Sequence, residues 1–310
     1  SDMNTAVGYQ AGSAVTTGDG NTLFGYQAGL AVTGAGAYNV CLGTQAGLAI
    51  TTGIRNTMVG QAGYQFDTEN DNLAIGHAAL GGVVAGGEFN VAVGNYALDA
   101  VTSGDINTSV GNKAGSGVTT GSGNILFGHQ AGDYSTALTT GNYNICLGSY
   151  TRTSTNSTSN AIVIGTDIAT VANRVAIGKS GALIYADFAS SATWTQSSDK
   201  RLKDSIEATN IGLDFVNELR PVTYKWKDTT TIPEELTKQK TEVNAKDTET
   251  LQYGLIAQEV KSAMDKVGHD KFTGWDLDED NTQCLREGQF IYPLIKAVQE
   301  LSATVTTLQQ

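Results

Sequence analysis

Asparagine recurs through the first half of the chain at a nearly constant interval, and this repeat limits the possible folds more than any other feature. The interval stays close to that between Asn4 and Asn21, and most of the asparagines open a unit of the form Asn-x-x-x-Gly. Such a period is too short for a two-helix repeat, which needs over 30 residues or so (about 34 in the tetratricopeptide case), and it suits two short strands with two turns. The repeat asparagines are Asn4, Asn21, Asn39, Asn56, Asn72, Asn90, Asn107, Asn124, Asn144 and Asn160, with a weaker copy at Asn173.

The residues between asparagine and glycine predict a short strand in every unit. The fourth position is large and apolar, as in Phe24, Leu42 and Phe127, whereas the third is mostly smaller, as in Ala6 and Cys41. Alternation with period two places these two sets on opposite faces of the strand. We expect the large residues to fill the interior of a coil and the small ones to pack closely against another chain.

The asparagine and the glycine of each unit have separate expected roles. The glycine permits a sharp corner, where a positive φ or crowded backbone excludes other residues. The asparagines are expected to stack into a side-chain amide ladder, each satisfying its neighbour. Rungs that bond to one another in this way form a β-solenoid, whose stability grows by nearest-neighbour contacts.

The composition changes near residue 190. Positions 1–190 hold 32 of the 37 glycines and 5 of the 19 Lys and Arg, whereas positions 191–310 hold all three prolines and all three tryptophans. The second part is therefore predicted to be a small α+β domain. Cys41, Cys146 and Cys284 are too few and too scattered for a disulfide framework or a zinc site, and we interpret them as small buried hydrophobes. No cofactor and no metal is expected.

The charge of the chain restricts its partners. The formal net charge is −12, which disfavours sequence-independent binding of nucleic acid and of anionic membrane surfaces. There is also no run of about 18 apolar residues, so no transmembrane helix is predicted.

Three repeat units share one pattern of residues: Asn72-Leu-Ala-Ile-Gly76, Asn90-Val-Ala-Val-Gly94 and Arg174-Val-Ala-Ile-Gly178. Of all the units, these come closest to the head repeats of trimeric autotransporter adhesins, which the repeat region resembles. In that family, three chains each form a left-handed parallel β-roll around one axis. The resemblance covers about residues 1–180 and implies a homotrimer, with the extra residues of the longer repeat in loops.

Four motifs stand in the second part of the chain: Ser198-Asp-Lys-Arg-Leu-Lys203, Leu219-Arg-Pro-Val-Thr-Tyr-Lys-Trp226, Tyr253-Gly-Leu-Ile-Ala-Gln-Glu-Val260 and Tyr292-Pro-Leu-Ile-Lys-Ala-Val-Gln-Glu-Leu301. Together they resemble the C-terminal intramolecular chaperone domain of phage endosialidase-type tailspikes and tail fibres, a domain also found in the myelin regulatory factor. Gln258 stands where some of these relatives carry a histidine.

The resemblance implies a domain that trimerises the preceding shaft and then cuts itself off with a Ser/Lys dyad. The matching nucleophile is Ser198 and the matching base is Lys203, and a serine hydroxyl does need an adjacent base to attack a carbonyl. Their spacing of five puts them on different faces of a helix and on opposite sides of a strand. Either a turn brings them together or the lysine comes from a neighbouring chain. Cleavage would release residues 199–310 or 198–310; a solvated, charged linker is the alternative.

The C-terminal segment has an a/d pattern with spacings of 4, 3, 4 and 3. This pattern is typical of a trimerising coiled coil, and the alternative is one amphipathic helix packed on its own domain. Two heptads are too short to associate firmly alone. The seam residues are Leu294, Val298, Leu301, Val305 and Leu308.

Three further groups of residues have both a functional and a structural interpretation. Asp276, Asp278, Asp280 and Glu287 stand at positions 1, 3, 5 and 12 of a calcium loop, but Asn281 replaces the required glycine, which favours a solvated acidic hairpin loop. His77 and His129 share one repeat position and would form rings of three in a trimer, as ion sites or as surface residues. Four tyrosines could stack on carbohydrate or fill turns: Tyr9, Tyr26, Tyr96 and Tyr150.

The sequence therefore predicts a fragment of a phage tail fibre or tailspike: a trimeric β-roll over 1–180, a junction over 181–197 and a self-releasing chaperone over 198–310. Its expected partners are two further copies of itself and a host surface glycan or protein. It would reside in the virion after assembly in the host cytoplasm, without membrane insertion. Enzymatic activity is expected only as a single self-cleavage. The alternatives are a bacterial trimeric surface adhesin or a glycan-degrading tailspike, for which Asp67, Glu69, Asp71, Asp99 and Asp105 offer no evident catalytic pair.

Overall fold

Each repeat of the first region forms one turn of a β-solenoid in the computed structural model, which describes residues 3–83, 85–195, 198–236, 239–278 and 280–309. About ten turns span residues 5–179. The main strands, each in parallel register with the next, are β1 Thr5–Val7, β2 Thr22–Phe24, β3 Val40–Leu42, β4 Thr57–Val59, β5 Leu73–Ile75, β6 Val91–Val93, β7 Thr108–Val110, β8 Ile125–Phe127, β9 Ile145–Leu147, β11 Ile162–Thr166 and β13 Arg174–Lys179. The shorter β10 Arg152–Thr153 and β12 Ala169–Thr170 pair with each other.

The buried and the exposed face of these strands are exchanged relative to the sequence prediction. Leu23, at the third position of its unit, is 1% exposed, whereas its neighbour Phe24 is 57% exposed. Cys41, Ala74 and Leu126 repeat the buried position, so the mostly smaller set fills the interior. The physical reason is the limited space inside the narrow coil. Each turn must also enclose apolar side chains from its loops, such as Ile50 and Val118, so only the smaller strand residues fit there as well. The large fourth-position residues therefore point outward.

The predicted asparagine ladder is confirmed and runs from Asn4 to Asn144. Oδ1 of Asn90 accepts the backbone N–H of Asn107 at 3.0 Å and its Nδ2 at 3.1 Å. Nδ2 of Asn107 in turn donates to the carbonyl of Gly121 at 2.9 Å. In each rung the amide oxygen accepts the backbone N–H at the ladder position of the next rung, and Nδ2 donates to the carbonyl of the turn that follows. The buried amides are thereby paired, as buried polar groups must be.

The last two repeat asparagines do not belong to the ladder. Asn160 has a φ of +57° and lies one residue before the ladder position, which Ala161 occupies. Ala161 donates its backbone N–H to Oδ1 of Asn144 at 3.0 Å and carries no amide to continue the series. Asn173 likewise has a φ of +57°, directly before the strand that begins at Arg174. The sequence prediction was therefore wrong by one residue in these two units.

A second ladder, which the sequence analysis did not predict, runs two residues before the first. The backbone N–H of Glu88 donates to Oδ1 of Asp105 at 2.8 Å, that of Asp105 to Oγ of Ser122 at 3.0 Å, and that of Ser122 to Oδ1 of Asn142 at 2.8 Å. These bonds point toward the following rung, whereas the asparagine bonds point toward the preceding one. Mixed residue types occupy the position because any short side-chain oxygen can accept the bond.

The glycines that end the strands meet the expected backbone constraint. Gly94 has a φ of +133°, and a Cβ at this position would lie 2.4 Å from the carbonyl oxygen of Gly111 in the next rung. Both the backbone angle and the contact therefore exclude a side chain.

Two antiparallel strands close the C-terminal end of the solenoid. β14 (Ala182–Asp187) pairs with β13, and β15 (Ser191–Thr195) pairs with β14. Arg174 of β13 and Asp187 of β14 form an ion pair across this end at 3.4 Å. The reversal of strand direction ends the parallel stack, because the next chain segment cannot add a further rung in register.

Residues 200–310 form the second of two compact units, the first being residues 1–199. Its helices are α1 Leu213–Glu218, α2 Ala257–Val267 and α3 Ile291–Leu308, with 3-10 turns at Lys200–Leu202, Thr229–Thr231 and Glu287–Phe290. β16 (Val222–Tyr224) pairs with β17 (Gln252–Gly254), and β18 (Trp275–Leu277) with β19 (Gln283–Leu285), both antiparallel. The predicted fold class, a β-solenoid followed by a small α+β region and a C-terminal helix, is confirmed.

An aromatic core lies at the centre of this second unit. The rings of Phe215, Phe272 and Phe290 contact one another with centroids 5.2 to 6.4 Å apart, and Val260 and Met264 of α2 pack beside them. Aromatic pairs of these kinds, two edge to face and one stacked, each add about 0.5–1.5 kcal/mol beyond the area they bury.

The cysteines follow the sequence interpretation in the solenoid only. Cys41 and Cys146 are buried, and burial raises the pKa of each thiol to about 12. Cys284 is exposed on β19, so its interpretation as a buried hydrophobe was wrong. Among the described residues all three thiols are free.

Candidate functional site

The two residues of the predicted dyad stand on either side of a 3-10 turn in the sequence. Ser198 is exposed in the last stretch of the first unit, and Lys203 is exposed directly after the 3-10 turn Lys200–Leu202 of the second. The backbone N–H of Lys203 donates to the carbonyl of Lys200 at 3.1 Å. This turn lies wholly within the second unit and directly precedes Lys203. The roles of Ser198 as nucleophile and Lys203 as base stay predictions.

The second and third motifs pack against each other. Their strands β16 and β17 pair antiparallel, with Thr223 opposite Tyr253. Beside them the guanidinium of Arg220 holds the carboxylate of Glu259 with two parallel hydrogen bonds, the Nε–Oε2 distance being 3.0 Å. The hydrogen bond from Arg220 lowers the pKa of Glu259. Neither partner was singled out from the sequence, since the two lie 39 positions apart.

A groove of about 630 Å³ lies beside these motifs, within the second unit. Its walls include Trp226, Leu255 and Gln258 from the motifs and Lys246 and Cys284 from neighbouring elements. Nζ of Lys246 stands 4.4 Å from the ring centroid of Trp226. Gln258, where some relatives carry a histidine, therefore faces a partly apolar groove.

The fourth motif begins α3, and this helix has two different faces. Pro293 and Ala297 are buried against the unit, and Glu300 accepts the backbone N–H of Leu213 at 2.7 Å, at the start of α1. Ile291 is exposed and extends the seam by one position. The helix packs on its own unit without covering the seam. The seam residues all lie on exposed positions: Leu294, Val298, Leu301, Val305 and Leu308.

The acidic residues considered from the sequence have structural partners. Glu69 is buried and accepts three backbone N–H groups, from Asp67, Thr68 and Gly86. Asp71 pairs with Arg55, and Asp105 is part of the second ladder. At Asp99 the main influence is partial burial, which raises the pKa of the carboxyl group.

The acidic segment after Trp275 forms the loop between β18 and β19, as the hairpin interpretation predicts. Within the described ranges, which omit residue 279, no group of three His, Cys, Asp or Glu side chains is placed to hold a metal ion.

The histidines and tyrosines considered from the sequence lie on the outer surface of the solenoid turns. Tyr9 and Tyr26 lie in the turns after β1 and β2, are exposed, and stack on each other with ring centroids 5.6 Å apart. His77 meets Tyr96 and His129 meets Tyr150, both edge to face at 5.2 Å.

The chain thus combines a β-solenoid with a small unit in which the second and third motifs pack together. Residues 198–269 match the family model described as chaperone of endosialidase. The match begins at Ser198 and confirms the resemblance that the motifs indicated. It supports a protein of the phage tail-fibre or tailspike type with a C-terminal chaperone segment, which fits a component of the virion.

No curated protein and no solved structure matches the chain. Over the part of the chain that the structure describes, every helix is too short or too polar to cross a membrane.

Proposed function

We propose that this chain is part of a homotrimeric phage tail fibre or tailspike that attaches to a host surface. Its C-terminal unit aligns three chains during folding and is then released by cleavage at Ser198. The observation that carries the proposal is the match over residues 198–269, which begins at the predicted nucleophile and directly follows the solenoid. A chaperone segment at the end of a repetitive shaft is suited to setting the register of that shaft.

The exposed seam of α3 supports the trimer. A helix that packs on its own unit normally keeps its apolar stripe inside, yet this one buries Pro293 and Ala297 and leaves an a/d stripe from Ile291 to Leu308 in solvent. Three such helices around one axis would cover the stripe by knobs-into-holes packing. The seam is short, so the rest of the unit must contribute to the association.

The outward face of the solenoid strands supports the trimer independently. The fourth position forms a row of large apolar residues in register along the solenoid, exposed at Val7, Phe24, Leu42, Ile75 and Phe127. An extended exposed apolar surface of this kind marks an interaction surface. We propose that this face, and not the small-residue face first predicted, packs against the other two chains.

Register is the reason why such a shaft benefits from a chaperone. Because the rungs resemble one another, three chains can begin to pair while displaced by one rung. Trimerisation through the C-terminal unit would bring equivalent ends together first. Release of the unit would then make unfolding hard to reverse, which is kinetic stability.

The proposed cleavage is an acyl transfer to serine followed by hydrolysis. Oγ of Ser198 attacks a peptide carbonyl beside it, while Nζ of Lys203, in its neutral form, takes the hydroxyl proton and later delivers it to the departing backbone amine. Water then hydrolyses the ester and restores the hydroxyl. The products are the solenoid and a fragment that begins at residue 198 or 199.

The decisive experiment compares a denaturing gel with a native mass measurement on the purified chain. We expect a trimeric mass and two polypeptides on the gel, the smaller one starting at residue 198 or 199, with Ser198→Ala giving a trimer of uncut chains. Lys203→Arg should also stay uncut, because a guanidinium does not act as a base. A monomeric mass would contradict the trimer, and a single uncut species in wild type under all conditions would contradict the cleavage.

A further inference from the structure

The longest interval between ladder asparagines contains a short insertion. Asn124 and Asn144 are 20 residues apart, and the extra residues lie in one turn. In the preceding rung the backbone N–H of Val118 bonds to the carbonyl of Gly115, whereas here that of Leu138 bonds to the carbonyl of Gly132, at 2.8 Å. Leu138 still reaches the interior, where it is fully buried. The solenoid therefore closes normally, and the insertion is a surface excursion that the fold does not need.

The insertion places a tyrosine against an existing aromatic pair. The ring of Tyr134 lies 4.7 Å from that of Tyr150, at an interplanar angle of 61°. Tyr150 also meets His129 at 5.2 Å, nearly perpendicular. We call Tyr134, Tyr150, His129 and Arg152 the aromatic cluster. Inserted loops of repeat proteins commonly lie on the binding face.

Arg152 fixes the cluster from the adjacent strand β10. Its guanidinium stands 5.4 Å from the ring centroid of Tyr134. Nη1 donates to Oδ1 of Asp167 at 2.8 Å and to the carbonyl of Tyr150 at 3.1 Å. The ion pair holds the guanidinium in place, so the rings are ordered before any ligand arrives. Tyr134 nevertheless keeps 41% of its surface exposed.

We propose that the aromatic cluster binds an uncharged glycan of the host surface, which rests on the attachment role proposed above. A pyranose ring has an apolar C–H face and a rim of hydroxyl groups. Tyrosine, histidine and arginine offer flat faces that can pack on the C–H face of the sugar, and hydrogen-bonding groups that can bind its hydroxyl groups. Tyrosine also provides this contact area at a low entropic cost.

The local charge selects an uncharged sugar. The charge of Arg152 is balanced by Asp167, and Asp133 adds a negative charge at the start of the inserted loop. Positions 1–190 together hold 11 Asp and Glu against 5 Lys and Arg. A carboxylated or sulfated sugar would meet repulsion, because the sum of these charges creates a negative potential. Neutral hexose or N-acetylhexosamine chains are therefore the expected ligands.

The test uses the full chain on an array of neutral oligosaccharides, with sialylated counterparts beside them. We expect the wild type to bind neutral glycans and Tyr134→Ala to lose about tenfold or more in affinity, the value of one stacking contact. Tyr134→Phe, which keeps the ring, should lose about threefold or less. Tyr143→Asn is the matched control: it removes another exposed tyrosine of the same rung outside the cluster, at a φ of +57° that asparagine tolerates, and its binding should not change.

A second arm separates this proposal from the attachment role. Labelled wild-type chain is bound to a panel of bacterial strains, before and after periodate oxidation of their surface sugars. Binding that is lost with periodate and with Tyr134→Ala supports both proposals. Binding to cells that Tyr134→Ala leaves intact overturns the aromatic cluster but keeps attachment, as does preference for sialylated glycans. Absence of binding to every strain and every glycan overturns both.

Discussion

The solenoid and the C-terminal unit bury their side chains in contrasting ways. In the solenoid, equivalent positions of successive rungs are buried, from Leu23 to Val163, and the asparagine ladder links one rung to the next. In the C-terminal unit, one cluster around Phe215 holds the helices together, and the segment 200–210 is exposed throughout. The repetitive region is well bonded within one chain but carries little information about alignment between chains. The irregular region is held by that one cluster and presents the exposed seam of α3.

The first prediction concerns a shortened chain from which the C-terminal unit has been removed. A chain that ends after Thr195 keeps β15, and therefore the closed end of the solenoid, but lacks the whole chaperone segment. We expect it to yield insoluble or monomeric protein instead of soluble trimer, because nothing aligns the three apolar strand faces before they pair. Native mass measurement of the soluble fraction checks this. Soluble trimers from the shortened chain would show that the solenoid aligns itself.

The second prediction breaks the bonding between rungs. Asn107→Ala leaves the buried N–H of Asn124 and the carbonyl of Gly121 without their partner, at about 1–3 kcal/mol for each group. We expect the unfolding free energy of the solenoid to fall by about 4 kcal/mol in denaturant titrations. The matched control is Asn160→Gly, which changes an asparagine outside the ladder at a φ of +57° and should be nearly silent. Equal losses at the two positions would contradict the ladder.

The third prediction tests how closely the rungs approach at the corners. Gly94→Ala would place a Cβ 2.4 Å from the carbonyl oxygen of Gly111 at a φ of +133°, and clash and backbone strain together should cost about 3 kcal/mol. Gly181→Ala separates the two causes, because this glycine has a φ of +77° but no heavy atom within 4 Å of the added Cβ. It should cost about 1 kcal/mol. Thermal unfolding of both variants measures the difference, and similar values would show that the corners are not crowded.

The repeat made much of the solenoid predictable from the sequence. The features that it did not reveal are those that leave no recurring residue type. Backbone constraints recur in the sequence as one residue type, so the asparagine ladder and the corner glycines could be identified. The second ladder accepts Asp, Ser or Asn alike and left no single-residue signal. The prediction of which strand face is buried was wrong. Side-chain size alone does not tell the inner face from the outer one when turn residues such as Ile50 also occupy the interior. In the C-terminal unit, Ser198 and Lys203 were proposed from a motif, whereas the pairing of Arg220 with Glu259 depends on a long-range fold.

The last prediction concerns that ion pair and has the smallest expected effect. The hydrogen bond from Arg220 lowers the pKa of Glu259 below its ordinary value of 4.5. A carboxyl group with a lowered pKa in the folded state stabilises that state above the unfolded pKa, and the contribution is lost as the pH falls through the folded value. Glu259→Gln should therefore lower the thermal midpoint of the second unit slightly at neutral pH and flatten its decline below about pH 4.5. The effect is small because both groups are exposed and screened by solvent.

The measurement follows tryptophan fluorescence during heating, since Trp226 and Trp275 belong to this unit. Glu249→Gln serves as the control, because its contact with Lys225 is longer, at 3.4 Å, and 88% of the glutamate side chain is exposed. If the control flattens the acid decline as much as Glu259→Gln does, the pH dependence reflects total charge and not the link between the second and third motifs. If only Glu259→Gln does so, the irregular unit depends on a specific long-range contact, in contrast to the solenoid, where each bond has counterparts in neighbouring rungs.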